Sequence, residues 1–227
     1  MLIHGLLATS LALTAMPAAE AQAQARVDCA KAKCLALTFD DGPGETTPKL
    51  LSVLRKAGAK ATFFLVGKQV ERRPQVVKKT LADGHAIGNH TYSHPSLPTL
   101  FDHEITTELK VTQALIEEAT GHTPTMFRPP YGHTDTKVLE AADDANLAQV
   151  LWTGTTLDWK LRDARKIKAA VLRLAKRDGV ILMHDTVPQT VQAMPEIVKE
   201  LKKRGYTLVT VPTLLRGKGP RPGVSYF

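Results

Sequence analysis

Residues 34–67 read CLALTFDDGPGETTPKLLSVLRKAGAKATFFLVG. Cys34–Phe39 is an apolar run of strand length. Thr46 and Thr47 before Pro48 open a helical pattern that Gly58 closes, and residues 61–67 form a second apolar run. Strand, crossing helix and strand in this order make a parallel unit, because parallel neighbours need a long crossover. The unit repeats along the chain. Residues 68–84 are helical, with Pro74 as an interruption or second start, and 85–91 form a short strand entering a loop. Residues 102–121 give the clearest helix, with Ile105, Leu109, Leu115 and Ile116 along one side. Strands at 125–130, 148–154, 180–185 and 206–211 alternate with helices at 134–146, 163–179 and 192–205. Six or seven β/α units predict an α/β fold of parallel strands with covering helices. An open doubly wound sheet and a barrel-like closure both fit that count. The Gly/Pro-rich tail from residue 216 is expected to be irregular.

The chain has 227 residues, 43% of them hydrophobic, which suits one domain with a real core. Residues 1–25 read as a secretory signal peptide: a short apolar run, LLATSLALTAM, precedes small-residue cleavage sites such as Ala19-Glu20-Ala21. The run is too short to span a bilayer, so no membrane span is expected after cleavage. Residues 26–227 are then one exported domain, expected to act as a monomer outside the cell or at its wall. Cys29 and Cys34 are the two cysteines, and an even count in an exported chain predicts a disulfide between them. Net charge is +8, or +9 without residues 1–25, whose one charged side chain is Glu20. The cations spread over solvated helix faces such as VKKTL and LKKRG, and no basic run interleaves with aromatics, which argues against nucleic acid.

The polar residues cluster. Asp40 and Asp41 end the first strand, His90 follows the third, and Arg128 and Tyr131 end the fourth. Asp158 and Trp159 follow the fifth, and His184 and Asp185 end the sixth. All lie at carboxyl ends of strands, the edge at which α/β folds build sites. Two adjacent acids leaving a core repel, and burial of either is costly; a cation, or chemistry needing two different carboxylates, offsets that cost. His90 and His94 are four apart, the spacing that puts two imidazoles on one face of a helical turn. Two imidazoles and one aspartate make a three-ligand metal set with a position open for water. The other aspartate is free to act as general base. Residue spacing alone leaves open which aspartate does which.

TFDDGP, HTYSHP, RPPYG, LDW and ILMHD occur in this order, and across residues 33–213 the chain resembles the polysaccharide deacetylases of carbohydrate esterase family 4, the NodB homology domain. The resemblance implies a distorted (β/α) barrel with fewer than eight complete units. It implies Asp40 as base, Asp41, His90 and His94 as metal ligands, and Arg128 as the residue orienting the base. It further implies the Tyr131 N–H as oxyanion donor, Asp158 as the acid behind His184, and His184 as general acid. Trp159 and Tyr131 would wall the substrate groove and Leu182 the acetyl pocket. Asp185 is left without a role. Zinc is the first expectation for the metal, with cobalt, manganese and nickel open. Where the family often has an additional acid three residues before the aspartate of LDW, this chain has Thr155.

The expected reaction is removal of N-acetyl groups from N-acetylglucosamine-containing glycans, chitin oligomers or peptidoglycan, with acetylxylan as the competing substrate. A non-catalytic glycan-binding relative would lack a ligand or the base, and a non-haem iron oxygenase would lack Asp40 and His184. No Gly-x-Ser-x-Gly elbow or reactive thiol points to covalent catalysis.

Overall fold

The computed structural model describes residues 27–215 and 219–227. The proposed leader, residues 1–25, lies outside the described residues.

Among the described residues nine strands form one sheet in which every pairing is parallel. They are β1 (Cys34–Gly42), β2 (Thr62–Leu65), β3 (Ala86–Asn89), β4 (Met126–Phe127), β5 (Ala148–Val150), β6 (Gly154–Thr155), β7 (Gly179–His184), β8 (Thr207–Val209) and β9 (Ser225–Tyr226). The order is β6-β7-β1-β2-β3-β4-β5-β9, with β8 also on β1. One edge of β1 is shared, β8 taking Cys34–Ala36 and β2 taking Thr38–Gly42. Among the described residues β6 and β9 do not pair, so the sheet is a barrel left open on one side.

The helices are α1 (Thr47–Lys56), α2 (Gly67–Arg72), α3 (Pro74–Ala82), α4 (Asp102–Thr120), α5 (Thr136–Asp144), α6 (Asp158–Leu161), α7 (Ala164–Leu174), α8 (Pro188–Lys203) and α9 (Val211–Leu214). Pro74 splits the 68–84 pattern into α2 and α3, since it lacks an N–H and sets the first turn of a new helix.

Strand alternation decides which residues face where. Leu35, Leu37 and Phe39 pack outward with Leu50, Leu54, Ile167, Val171 and Ile197 of the helical layer. Ala36 lies inward with Phe64, Met126, Val150, Val180 and Val209. Thr38 and Asp40 continue that inward row, so the period of β1 itself carries Asp40 into the barrel. A third cluster, including Ile105, Leu109, Phe127 and Val138, seats α4 and α5. A disulfide joins Cys29 to Cys34, pinning the first described turn to the start of β1.

Two sequence expectations need correction. The tail is not wholly irregular: Ser225 and Tyr226 pair with Gln149 and Val150, and Gln149 Nε2 donates to Ser225 Oγ at 2.9 Å. The segment from His90 to His94 is a loop, not a helical turn, with Thr91 at φ 66° and His94 at φ 64°.

Candidate active site

Asp40, Asp41, His90, His94 and His184 line one cavity of about 440 Å³ at the carboxyl ends of the strands. Neighbours on an extended strand point opposite ways, and Asp41 escapes that rule because its φ is 71°. Both carboxylates therefore reach the same side. The turn that follows is tight against β7: a Cβ on Gly42 would lie 2.3 Å from Asp185 Oδ2.

The Asp41 Oδ1 atom is 3.4 Å from His90 Nε2 and 3.3 Å from His94 Nε2. The His90 Nδ1 is 2.7 Å from the Arg128 carbonyl, which fixes the proton on Nδ1 and leaves Nε2 as an acceptor. In neutral His90 an acceptor thus faces an acceptor, and Asp41 Oδ1 is buried without a hydrogen-bond partner among the described residues. The three ligand atoms lie within 4.8 Å of one another. Burial raises the Asp41 carboxyl, but the close His90 and His94 imidazoles, with the charge of His184 beyond them, outweigh it and hold it well below the usual carboxylate range. Two imidazoles and a carboxylate fit a divalent cation of the zinc type.

Arg128 is fully buried and uses all three guanidinium nitrogens. Its Nη1 donates to Asp40 Oδ1 and to Thr38 Oγ1, both at 2.8 Å, Nε to the Val150 carbonyl at 2.9 Å and Nη2 to the Leu151 carbonyl at 2.7 Å. Its plane lies over the Phe64 ring, 4.1 Å from the centroid. Burial pulls the guanidinium below its ordinary value, against the pull of Asp40.

Opposite this pair, Asp158 Oδ1 lies 2.7 Å from His184 Nδ1, while Oδ2 accepts the His184 N–H and the Thr190 hydroxyl. Burial of Asp158 raises its carboxyl, but the hydrogen bonds from His184 and Thr190 and the charge of His184 together more than reverse this, so it sits below its ordinary value. Burial of His184 lowers its imidazole, but Asp158 first, then Asp40 and Asp41, raise it to about 9. The His184 Nε2 is 3.9 Å from Asp41 Oδ2.

Tyr131 has φ 61° and ψ 0°, and its ring meets the His94 ring edge-on at 4.7 Å. Tyr131 and Trp159 are exposed at the cavity mouth, at 62% and 52%. Leu182 is buried in its wall. Thr155, where the deacetylase pattern often has an acid, also lines the cavity and takes the Leu157 N–H at 3.3 Å. Every residue expected at the site is at this strand edge except the Cys29–Cys34 pair, which sits at the opposite end. Sequence reading missed Trp152, Pro129 and Leu157, which complete the apolar wall. Trp152 and Pro129 follow strand ends β5 and β4, a signal that could have found them. Asp185 is fully buried, takes the Thr47 hydroxyl on Oδ2, and is pushed by burial up to about 7.

A parallel half-barrel with an acid–histidine cavity at its carboxyl edge is the frame of a carbohydrate deacetylase, and comparison with known proteins agrees. The polysaccharide deacetylase family model matches residues 28–150. A peptidoglycan-N-acetylglucosamine deacetylase of Bacillus cereus is 39% identical over 187 residues, spanning 80% of this chain and 68% of its own. The peptidoglycan-N-acetylmuramic acid deacetylase PdaC of Bacillus subtilis is 38% identical over 190 residues, 83% of this chain but only 40% of that longer protein. The solved T48 deacetylase with substrate superposes at a TM-score of 0.85 with 42% identity, covering 89% of this chain and all of that one. The chain belongs to the polysaccharide deacetylase family.

Proposed function

We infer that the chain is an exported, metal-dependent N-deacetylase of N-acetylglucosamine in peptidoglycan strands or chitin oligomers. The observation that carries the reading is the convergence of Asp40, Asp41, His90, His94 and His184 on one apolar-walled cavity. Residues 1–25 serve as leader and residues 26–227 as the catalytic domain, acting as a monomer at the wall. The peptidoglycan relatives support that location, and among the described residues no helix is long and apolar enough to cross a membrane.

Asp41, His90 and His94 would hold the cation, zinc first, with cobalt, manganese or nickel as alternatives. When bound, such a cation supplies Lewis acidity toward a carbonyl oxygen and acidifies water. Asp40, oriented by Arg128, takes the proton of the attacking water. As the C–O bond forms, the Tyr131 N–H donates to the developing oxyanion. His184, oriented and held protonated by Asp158, gives its proton to the amide nitrogen as the C–N bond breaks. Acetate and a free amine leave. Trp159 and Tyr131 offer faces to the sugar rings, while Leu182 and Trp152 enclose the acetyl methyl.

The test is kcat/KM for acetate release from peptidoglycan fragments, chitin oligomers and acetylated xylo-oligosaccharides in one buffer with one metal. N-acetylglucosamine substrates should win. A xylan preference of ~10-fold, about 1.4 kcal/mol in transition-state stabilisation, would overturn the substrate while leaving the fold. Full activity after exhaustive chelation would overturn the metal.

A further inference from the structure

We propose that Glu108 on α4 is a positioning residue for the two site imidazoles, acting through the backbone of the loop that carries them. The inference rests on the reading of Asp41, His90 and His94 as metal ligands.

The loop from His90 to His94 has no secondary structure of its own, and Thr91 and His94 both hold positive φ without being glycine. Such a backbone persists only where its surroundings fix it. The Thr91 N–H donates to Asn89 Oδ1 at 2.8 Å and the His94 N–H to Thr91 Oγ1 at 3.1 Å. The two N–H groups between them, of Tyr92 and Ser93, both donate to Glu108 Oε2 at 2.7 Å, and the Ser93 hydroxyl donates to Oε1 at 2.6 Å. From the other side, α2 donates its Gly67 and Lys68 N–H groups to the Thr91 and Tyr92 carbonyls at 2.9 and 3.1 Å. A Cβ on Gly67 would lie 2.7 Å from the Tyr92 ring, so the approach of α2 needs glycine. The loop is thus held between two helices, and one carboxylate takes two of its five backbone N–H groups and the Ser93 hydroxyl.

Glu108 is not there for the helix. The buried face of α4 is Ile105, Leu109, Thr112 and Ile116. Among the described residues no arginine, lysine or histidine forms an ion pair with Glu108. Its charge goes into three charge-assisted hydrogen bonds to the loop, which are stronger than neutral ones. The carbonyl of the next residue, Leu109, accepts Asn89 Nδ2 at 2.8 Å, so two successive positions of α4 grip the chain on both sides of His90. Without Glu108 the loop would sample other backbone states, and His94 would spend less time beside Asp41.

The experiment is Zn²⁺ titration of the metal-free protein against a competing chelator dye, with Co²⁺ absorption as a second signal. Wild type, E108A, E108Q, S93A and H94A are compared, and circular dichroism of each metal-free protein reports folding. E108A should bind Zn²⁺ about 10-fold or more weakly while remaining folded, the scale on which groups behind metal ligands act. E108Q keeps an oxygen for both N–H groups and should stay within about threefold of wild type. Wild-type affinity in E108A overturns the proposal. Should E108A not fold, S93A, which removes the hydroxyl contact alone, should still weaken Zn²⁺ measurably, and an unchanged S93A then overturns it. If wild type binds neither Zn²⁺ nor Co²⁺, the metal reading itself falls; if H94A loses the metal and E108A does not, only the role of Glu108 falls.

Discussion

The Asp158 carboxylate accepts three hydrogen bonds at once, and two of them come from a single residue, the backbone N–H and the Nδ1 of His184. This double hold fixes the imidazole in place and in tautomer, leaving Nε2 toward the cavity. His184, raised to about 9, is protonated below that value, so its acid form is available at neutral pH and lost as pH rises. Asp158→Asn removes the charge responsible. Acetate release should fall by about 10²-fold, and the alkaline limb of kcat/KM should move to lower pH. A pH–rate profile checks this; an alkaline limb that does not move would show that Asp158 does not set the acid.

Arg128 and Asp40 form a buried ion pair whose cation also serves two carbonyls and a hydroxyl. Arg128→Met strands Asp40 and both carbonyls together, so folding should weaken by about 3–5 kcal/mol. Adding Asp40→Asn removes the stranded charge. The double variant should therefore unfold at higher urea than Arg128→Met alone, and the reverse order would contradict the pairing.

His85 lies just before β3, at the opposite end of that strand from His90, and is 3% exposed. Its Nδ1 accepts the Ala61 N–H at 3.2 Å, and Nε2 has no hydrogen-bond partner among the described residues. Burial, with Lys60 and Lys79 against Asp83, lowers it from 6.5 to about 4. Between those values the unfolded chain takes a proton that the folded chain refuses. Stability from this group is complete above pH 6.5 and falls as pH drops toward 4, by about 3 kcal/mol in all. Urea midpoints at pH 7 and 4.5 should differ less in His85→Gln than in wild type.

The disulfide closes a short loop at the start of β1, at the opposite end of the strand from Asp40. Replacing both cysteines with alanine should cost about 2 kcal/mol by loop entropy and leave acetate release per folded molecule unchanged. A matched loss of turnover, measured with folded fraction held constant, would mean that the N-terminal turn reaches the site.

The legible part of the molecule was its local part. β1, α1 and β2 are written in short-range alternation and in Pro48 and Gly58, and the strand-end acids and histidines follow from where each apolar run stops. What could not be read depends on distant chain. The helical spacing of His90 and His94 predicts a shared face; the face is shared, but through a loop shaped by α2 and α4. Ser225 and Tyr226 are a strand because Gln149 and Val150 offer an edge, and nothing within the Gly/Pro-rich tail says so. Two of the four residues bonded to the Arg128 guanidinium, Val150 and Leu151, contribute carbonyls, which carry no side-chain signature. Glu108 looks like any solvent-side acid of an amphipathic helix until the loop is seen beside it.

β1 is the most connected strand, yet it comes first in the chain. Of its three partners only β2 is near in sequence; its other pairings join Leu35 to Gly179 and to Leu208. During synthesis the strand bearing Asp40 and Asp41 therefore waits, with hydrogen-bonding edges exposed, until nearly the whole polypeptide has emerged. Long-range pairing of this kind slows folding and leaves strand edges open to other chains. Catalytic competence is acquired late, when the C-terminal strands close on the N-terminal one, and a chain cut short before residue 179 would carry both aspartates without the strand that fixes them beside His184.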